Sequence, residues 1–198
     1  MAVPKFTKAY AKLLAEEERE ELGCHPFRPL DPYELAEHHG VRVLSLADIA
    51  SEGGVLLDAH THFTVNRPDA FSGALLPIGT GHAIVVNSAH SRERLRSTVA
   101  HELAHILLEH SFTTTFHLSG KCRQSDVKQE AQADELSGEL LVPHKAAFRA
   151  ARQQRTDEWV ASTFDVSIEF ARWRMNATGA RKVAARAQAK AARAISRP

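Results

Sequence analysis

His101, Glu102 and His105 stand in the run His101-Glu102-Leu103-Ala104-His105, and their types and spacing suit one kind of chemistry. Two histidines four apart lie one above the other on one face of a helix, so both imidazoles can reach a single metal ion. Glu102 lies about 100° around the helix from His101, and only three residues before His105. Its carboxylate can lean over a water at the metal without being a ligand. Zinc held in this way lowers the pKa of its water to about 7, and a neighbouring carboxylate takes the proton. The bland alternative is a chance match in a chain with 12 histidines, giving two exposed rings on an ordinary helix. The mid-helix position beside an apolar stripe argues against it.

This is the H-E-x-x-H motif of metallopeptidases. A catalytic zinc needs a third protein ligand and one open position. The metzincin continuation requires a glycine at position 108 and a histidine at 111; the chain has Leu108 and Ser111, which excludes that class. The remaining option is a carboxylate from a second helix. Glu130 is the best placed, some 25 residues downstream, after room for a loop and an antiparallel return. Asp134, one turn later on the same face, is placed to accept the other ring N–H of a ligand histidine. An ordinary acid at a helix N-terminus is the plain reading of Glu130. Glu135 and Glu139 are fallback ligands, and spacing alone favours Glu130 only weakly.

Several elements must position these residues. Phe6–Leu22 reads as a helix stopped by Gly23. Asp31-Pro32-Tyr33-Glu34 is a helix start, with Asp31 as cap and Pro32 in the first turn. That helix ends at Gly40, and Val41–Leu46 alternates like a strand. Residues 51–70 read as irregular. Phe71–Leu76 and His82–Asn87 read as strands joined through Pro77–Gly81 as a hairpin. A long helix from about Ser91 to His110 carries the motif and buries Leu95, Val99, Leu103, Ile106 and Leu107. Residues 111–125 are polar and turn-like. A second long helix spans about Asp126–Leu141, closed by Pro143. Thr156–Phe164 and Ser167–Asn176 read as two short helices around a tight turn, with a helix-turn-helix rhythm.

Together, RLRSTVAHELAHILLEH over Arg94–His110 and EAQADELSGELLVP over Glu130–Pro143 resemble the ImmA/IrrE family of metallo-endopeptidases. Glu130, Ala133-Asp134 and Leu140-Leu141-Val142-Pro143 fall in register with the family's second motif, and the likeness runs over roughly residues 30–180. The resemblance implies Glu130 as third ligand and a zincin-like α+β fold. That fold has a small antiparallel or mixed sheet, an active-site helix, a second ligand helix and a C-terminal helical pair. It also implies endopeptidase activity on a regulatory protein, since better-known members cleave helix-turn-helix repressors of mobile elements or damage-response genes. Ala104 stands where the family usually has Gly, Leu136-Ser137 where it has Phe-Ala, and Val142 where it has Met. None of these touches a ligand or the base. In a zincin of this kind His82–Asn87 is expected to be the edge strand below the metal, open to an extended peptide.

Other residues receive plainer readings. Asp58-Ala59-His60-Thr61-His62 resembles an amidohydrolase metal motif, but such barrels need about 250 residues, so it reads as a polar loop. His110 follows the motif closely and either lines the site or ends the helix, where a cation is favoured; the second reading is preferred. His117 and His144 are candidates for stabilising an oxyanion, without an assigned role.

The chain has 198 residues, a hydrophobic fraction of 43% and a net charge of +1. The charge is uneven: residues 1–169 hold 17 basic and 24 acidic side chains, whereas residues 170–198 hold eight basic and no acidic ones. The expected organisation is a peptidase domain over 1–152, a helical pair over 153–180 and a basic tail over 181–198, solvated or partly disordered. Weak phosphate contact through 170–198 is a second expectation. No run approaches the roughly 20 apolar residues that span a bilayer. Cys24 and Cys122 are too far apart for a disulfide framework or a paired zinc motif, so a cytoplasmic setting is expected. The leading reading is a zinc endopeptidase, with manganese or iron as alternative metals. The competing one is a DNA-associated regulatory module with a structural metal site. Glu102 disfavours it, because a structural site has no need of a base and normally has four protein ligands.

Overall fold

A computed structural model describes residues 6–51, 55–79, 81–110 and 127–195. The expectations for residues 111–125, His117 and Cys122 lie outside them. The fold is α+β: ten α-helices and one three-stranded mixed sheet among the described residues. The chain forms two compact units, one of residues 1–11 and 31–137, the other of residues 12–30 and 138–198. α1 (Lys8–Glu21) begins in the first and ends in the second.

In the first unit, Asp31 caps α2 (Pro32–His38) by accepting the Tyr33 amide at 3.0 Å. α2 stops where the chain turns left-handed at Gly40, φ +65°, and the Val41 amide donates back to the Ala36 carbonyl at 2.8 Å. Both ends follow from sequence signals: an Asp-Pro start, and a glycine whose missing Cβ removes the cost of positive φ. β1 (Arg42–Ser45) follows. It is cut short because Ser45 and Asp48 form a reciprocal capping box that starts α3 (Leu46–Ala50).

Residues 55–70 are more regular than their composition suggests. α4 (Val55–Thr61) runs into a π-helical turn over His62–Asn66 and a short 3₁₀ turn over Pro68–Ala70. Asp58, His60 and His62 therefore lie on helical backbone rather than in a polar loop. Asn87 anchors the end of this stretch. It is fully buried, and the two hydrogens of its Nδ2 are shared among the carbonyls of Phe63, Pro68 and Phe71, each 2.8–2.9 Å away. Its Oδ1 accepts the Ala89 amide at 3.0 Å. Asn87→Ala strands these buried groups, so a loss of about 2–4 kcal/mol is expected. Urea unfolding checks it; a loss below about 1 kcal/mol, the net value of one ordinary bond, would show that the loop holds without the anchor.

β2 (Gly73–Ile78) and β3 (Gly81–Val86) form an antiparallel hairpin, paired from Gly73–Val86 to Ile78–Gly81. β1 pairs with β3 in parallel, Arg42 opposite Ala83 through Ser45 opposite Val86. The strand order is thus β1-β3-β2. The strand expected at the edge, His82–Asn87, is instead the central one, and its residues 83–86 are buried as a continuous apolar run. That run is the sequence signature of a strand covered on both faces. The edges among the described strands are β1 and β2.

Behind the sheet lies α5 (Arg92–Leu107), capped by Ser91. Val99, Ala100, Leu103 and Ala104 are completely buried. Gly73 meets this helix so closely that a Cβ there would lie 2.4 Å from Thr98 Cγ2. β2 therefore starts beside α5 one turn before His101. Arg96, also buried, reaches the α2 cap Asp31 at 3.6 Å, tying the motif helix to α2.

The second unit contains the end of α6 (Val127–Leu141), α7 (His144–Arg152), α8 (Asp157–Phe164), α9 (Ile168–Ala177) and α10 (Ala180–Ile195). α8 and α9 are the helical pair read from the sequence; Asp165 at φ +54° makes the turn between them. Gly138 lets α9 approach, since a Cβ would lie 3.1–3.2 Å from Trp173 and Arg174. The basic run at the C-terminus is helical through Ile195, and it packs on α7 and α9 with Ala180 and Ala184 buried. Its small residues recur at helical spacing, a pattern that charge composition hides.

Candidate metal centre

α5 presents His101 and His105 one turn apart, and the first turn of α6 presents Glu130. His101 Nε2 lies 3.2 Å from Glu130 Oε2, His105 Nε2 lies 3.2 Å from His101 Nε2, and His105 Nε2 lies 3.5 Å from Glu130 Oε1. One atom from each residue falls within 4.8 Å of the others. An ion bound tetrahedrally at 2.0–2.1 Å by such donors sets them roughly 3.3 Å apart. Two imidazole nitrogens and a carboxylate facing one another at this separation therefore fit a divalent metal.

Asp134 Oδ1 sits 3.2 Å from His101 Nδ1, one helical turn after Glu130. The carboxylate thus faces the ring nitrogen that points away from the convergence point, which fixes the tautomer with Nε2 free to donate its lone pair. Burial pushes the His101 pKa down, but the hydrogen bond that the ring donates to Asp134 and the charges of Glu102, Asp134 and Glu130 outweigh it, so the net shift is upward. The pocket is therefore one that attracts a cation, and protons compete with a metal for it. Glu102, 5% exposed, adds its charge to the same group.

Of the fallback ligands, Glu139 is engaged within the second unit, where Arg174 Nη2 lies 2.5 Å from its Oε1 and the His144 amide donates to its Oε2 at 2.8 Å. His144 Nδ1 lies 3.4 Å from the same oxygen. Glu135 pairs with Lys8 at 2.8 Å. Neither belongs to the converging set.

Gln132 escaped the sequence reading, and His110 follows the less favoured of its two readings, lining the site rather than only ending the helix. His110 is 8% exposed, and its Nδ1 lies 2.9 Å from His105 Nδ1. Gln132 Oε1 lies 2.9 Å from His110 Nε2. The available signal was a histidine five residues after a ligand, but no glycine marked the turn that brings it back.

The fold and these donors define a class: an α+β protein with an H-E-x-x-H helix facing a glutamate from a second helix. The family-level comparison agrees, matching residues 36–176 to the peptidase M78 family, IrrE N-terminal-like domain. The chain belongs to this family, and is a peptidase of the IrrE/ImmA type. Searches of curated proteins and of solved structures returned no match.

Proposed function

We propose that the protein is a zinc endopeptidase cleaving an internal bond of a regulatory protein, a helix-turn-helix repressor being the favoured class. The observation that carries this reading is the convergence of His101 Nε2, His105 Nε2 and a Glu130 oxygen at tetrahedral spacing, in a chain of a peptidase family. In this proposal His101, His105 and Glu130 hold the metal, and Asp134 orients His101. Bound zinc supplies Lewis-acid activation of water and polarisation of the scissile carbonyl. Glu102 takes the proton of the attacking water and returns it to the leaving amine. An extended substrate segment pairs with a free strand edge. β2 is the favoured edge, because Gly73 abuts α5 one turn before His101. Two imidazoles and one carboxylate also suit manganese or iron. The basic C-terminus, with Lys182 and Lys190 exposed on α10, favours a phosphate contact that holds the peptidase near a DNA-bound substrate.

The test incubates the zinc-loaded protein with intact helix-turn-helix repressors and reads the fragments by mass spectrometry. A single internal cut is expected, lost with a chelator and restored by zinc. A chelator-insensitive cut, or trimming from the termini alone, would contradict the reading. No described helix is long and apolar enough to cross a membrane.

A further inference from the structure

α5 ends in a left-handed turn that has no glycine, as α7 does at Gln154. Its last turn closes through two backbone bonds, Glu109 N–H to Ile106 O at 2.9 Å and His110 N–H to His105 O at 3.1 Å. Glu109 takes the left-handed conformation, φ +51°. This pair of bonds is the Schellman arrangement, in which the second residue past the cap folds back over the helix's last turn. Usually the two residues so apposed make an apolar contact. Here they are His110 and His105, and they meet ring nitrogen to ring nitrogen at 2.9 Å.

The direction of this bond follows from the site. His105 Nε2 faces His101 Nε2 and Glu130. If it offers its lone pair to a metal, the His105 proton resides on Nδ1. His105 Nδ1–H then donates to His110 Nδ1, which must be the bare nitrogen of that ring. The His110 proton is left on Nε2, facing Gln132 Oε1 at 2.9 Å, an amide oxygen that only accepts. Every polar atom in the series has the role its neighbour requires. The series runs from α5 through its C-terminal turn to the first turns of α6, the helix that also carries Glu130.

We infer that His110 is a positioning residue for the metal ligand His105: it fixes that ring's tautomer and orientation, and Gln132 fixes His110 in turn. The inference rests on the proposed metal site. It gives each ligand histidine its own partner, Asp134 for His101 and the His110–Gln132 pair for His105. A ligand histidine normally donates its other N–H to a carboxylate, carbonyl or water; an imidazole backed by an amide performs that task without adding a second negative charge.

The test measures zinc affinity by competition with a chromophoric chelator, and the visible absorption of the cobalt-substituted protein. Native chain, His110→Ala and His110→Asn are compared. Asparagine keeps an acceptor oxygen where the His110 Nδ1 lies, whereas alanine removes it. His110→Ala is expected to bind zinc 10- to 100-fold more weakly, the usual loss for such partners, and to shift the cobalt spectrum. His110→Asn is expected to recover most of the affinity and the native spectrum. Equal affinity and an unchanged spectrum in His110→Ala would overturn the inference, and so would equal weakening in both variants, which would mean that ring packing rather than the acceptor matters. If His110→Ala does not fold, Gln132→Leu serves: weaker zinc binding supports the series, unchanged binding overturns it. A native chain that binds no metal fails the proposed function itself, a separate outcome.

Discussion

Glu102→Gln is expected to keep its metal and lose its peptidase activity, by about 10²–10⁴-fold, the contribution typical of a positioned general base. The amide has nearly the shape of the carboxylate, so the buried site is filled as before, but it cannot take a proton from water. Because Glu102 is not among the converging donors, zinc stoichiometry stays at the native value. The decisive comparison is kcat against metal content in the same preparation. Loss of both together would place Glu102 among the ligands. Retention of activity would move the base elsewhere and remove the reason for its position beside His101. The same substitution separates the two readings of the site: a structural metal tolerates glutamine without consequence, whereas a catalytic one does not.

Arg174→Ala is expected to cost about 3–5 kcal/mol, the largest loss of stability from any single change to the second unit that the structure suggests. Arg174 and Glu139 are 0% and 2% exposed, with Nη2 and Oε1 2.5 Å apart. Arg174 Nε also donates to the Val142 carbonyl at 2.9 Å, just past the end of α6. Glu139 meanwhile accepts the first free amide of α7, that of His144. Removing the guanidinium leaves a buried carboxylate without its counter-charge, and the cost comes mainly from that uncompensated charge rather than from the lost pair. The double variant Glu139→Met with Arg174→Met is therefore expected to lose less than Arg174→Ala alone. Chemical denaturation of the three proteins measures this. A single-variant loss under about 1 kcal/mol, as for an exposed pair, would show that water reaches the pair.

The motif helix was legible because its signals are local. Ser91 caps it, apolar residues recur at helical spacing, and His101, Glu102 and His105 follow from the residue types themselves. Spacing on the second helix favoured Glu130 and Asp134 only weakly and the family resemblance singled Glu130 out; the structure brings both to His101. The two apolar segments and the turn residues of Pro77–Gly81 between them gave the hairpin. Which strand is central was not read, because the parallel pairing of β1 with β3 joins residues about 40 apart and the pairing itself has no local signal. The buried run Ala83–Val86 was the overlooked hint. The helical turns over residues 46–50 and 55–66 were missed for a different reason. The first of them, α3, starts at the capping box of Ser45 and Asp48, and Ser45 was read as part of a strand. The site-lining reading of His110 was ranked second because the turn at Glu109 uses a residue that rarely adopts positive φ. With no glycine to signal a stop, the helix was carried on to His110, whereas it ends at Leu107.

The account's central claim is that His101, His105 and Glu130 hold one catalytic metal. Zinc content of the purified native chain, beside His101→Ala and Glu130→Ala, tests it most directly. One equivalent in the native protein, lost or much weakened in both variants, is the predicted result. Zinc retained by Glu130→Ala and lost by His101→Ala would move the third ligand off Glu130, and no metal in any form after reconstitution would contradict the account outright.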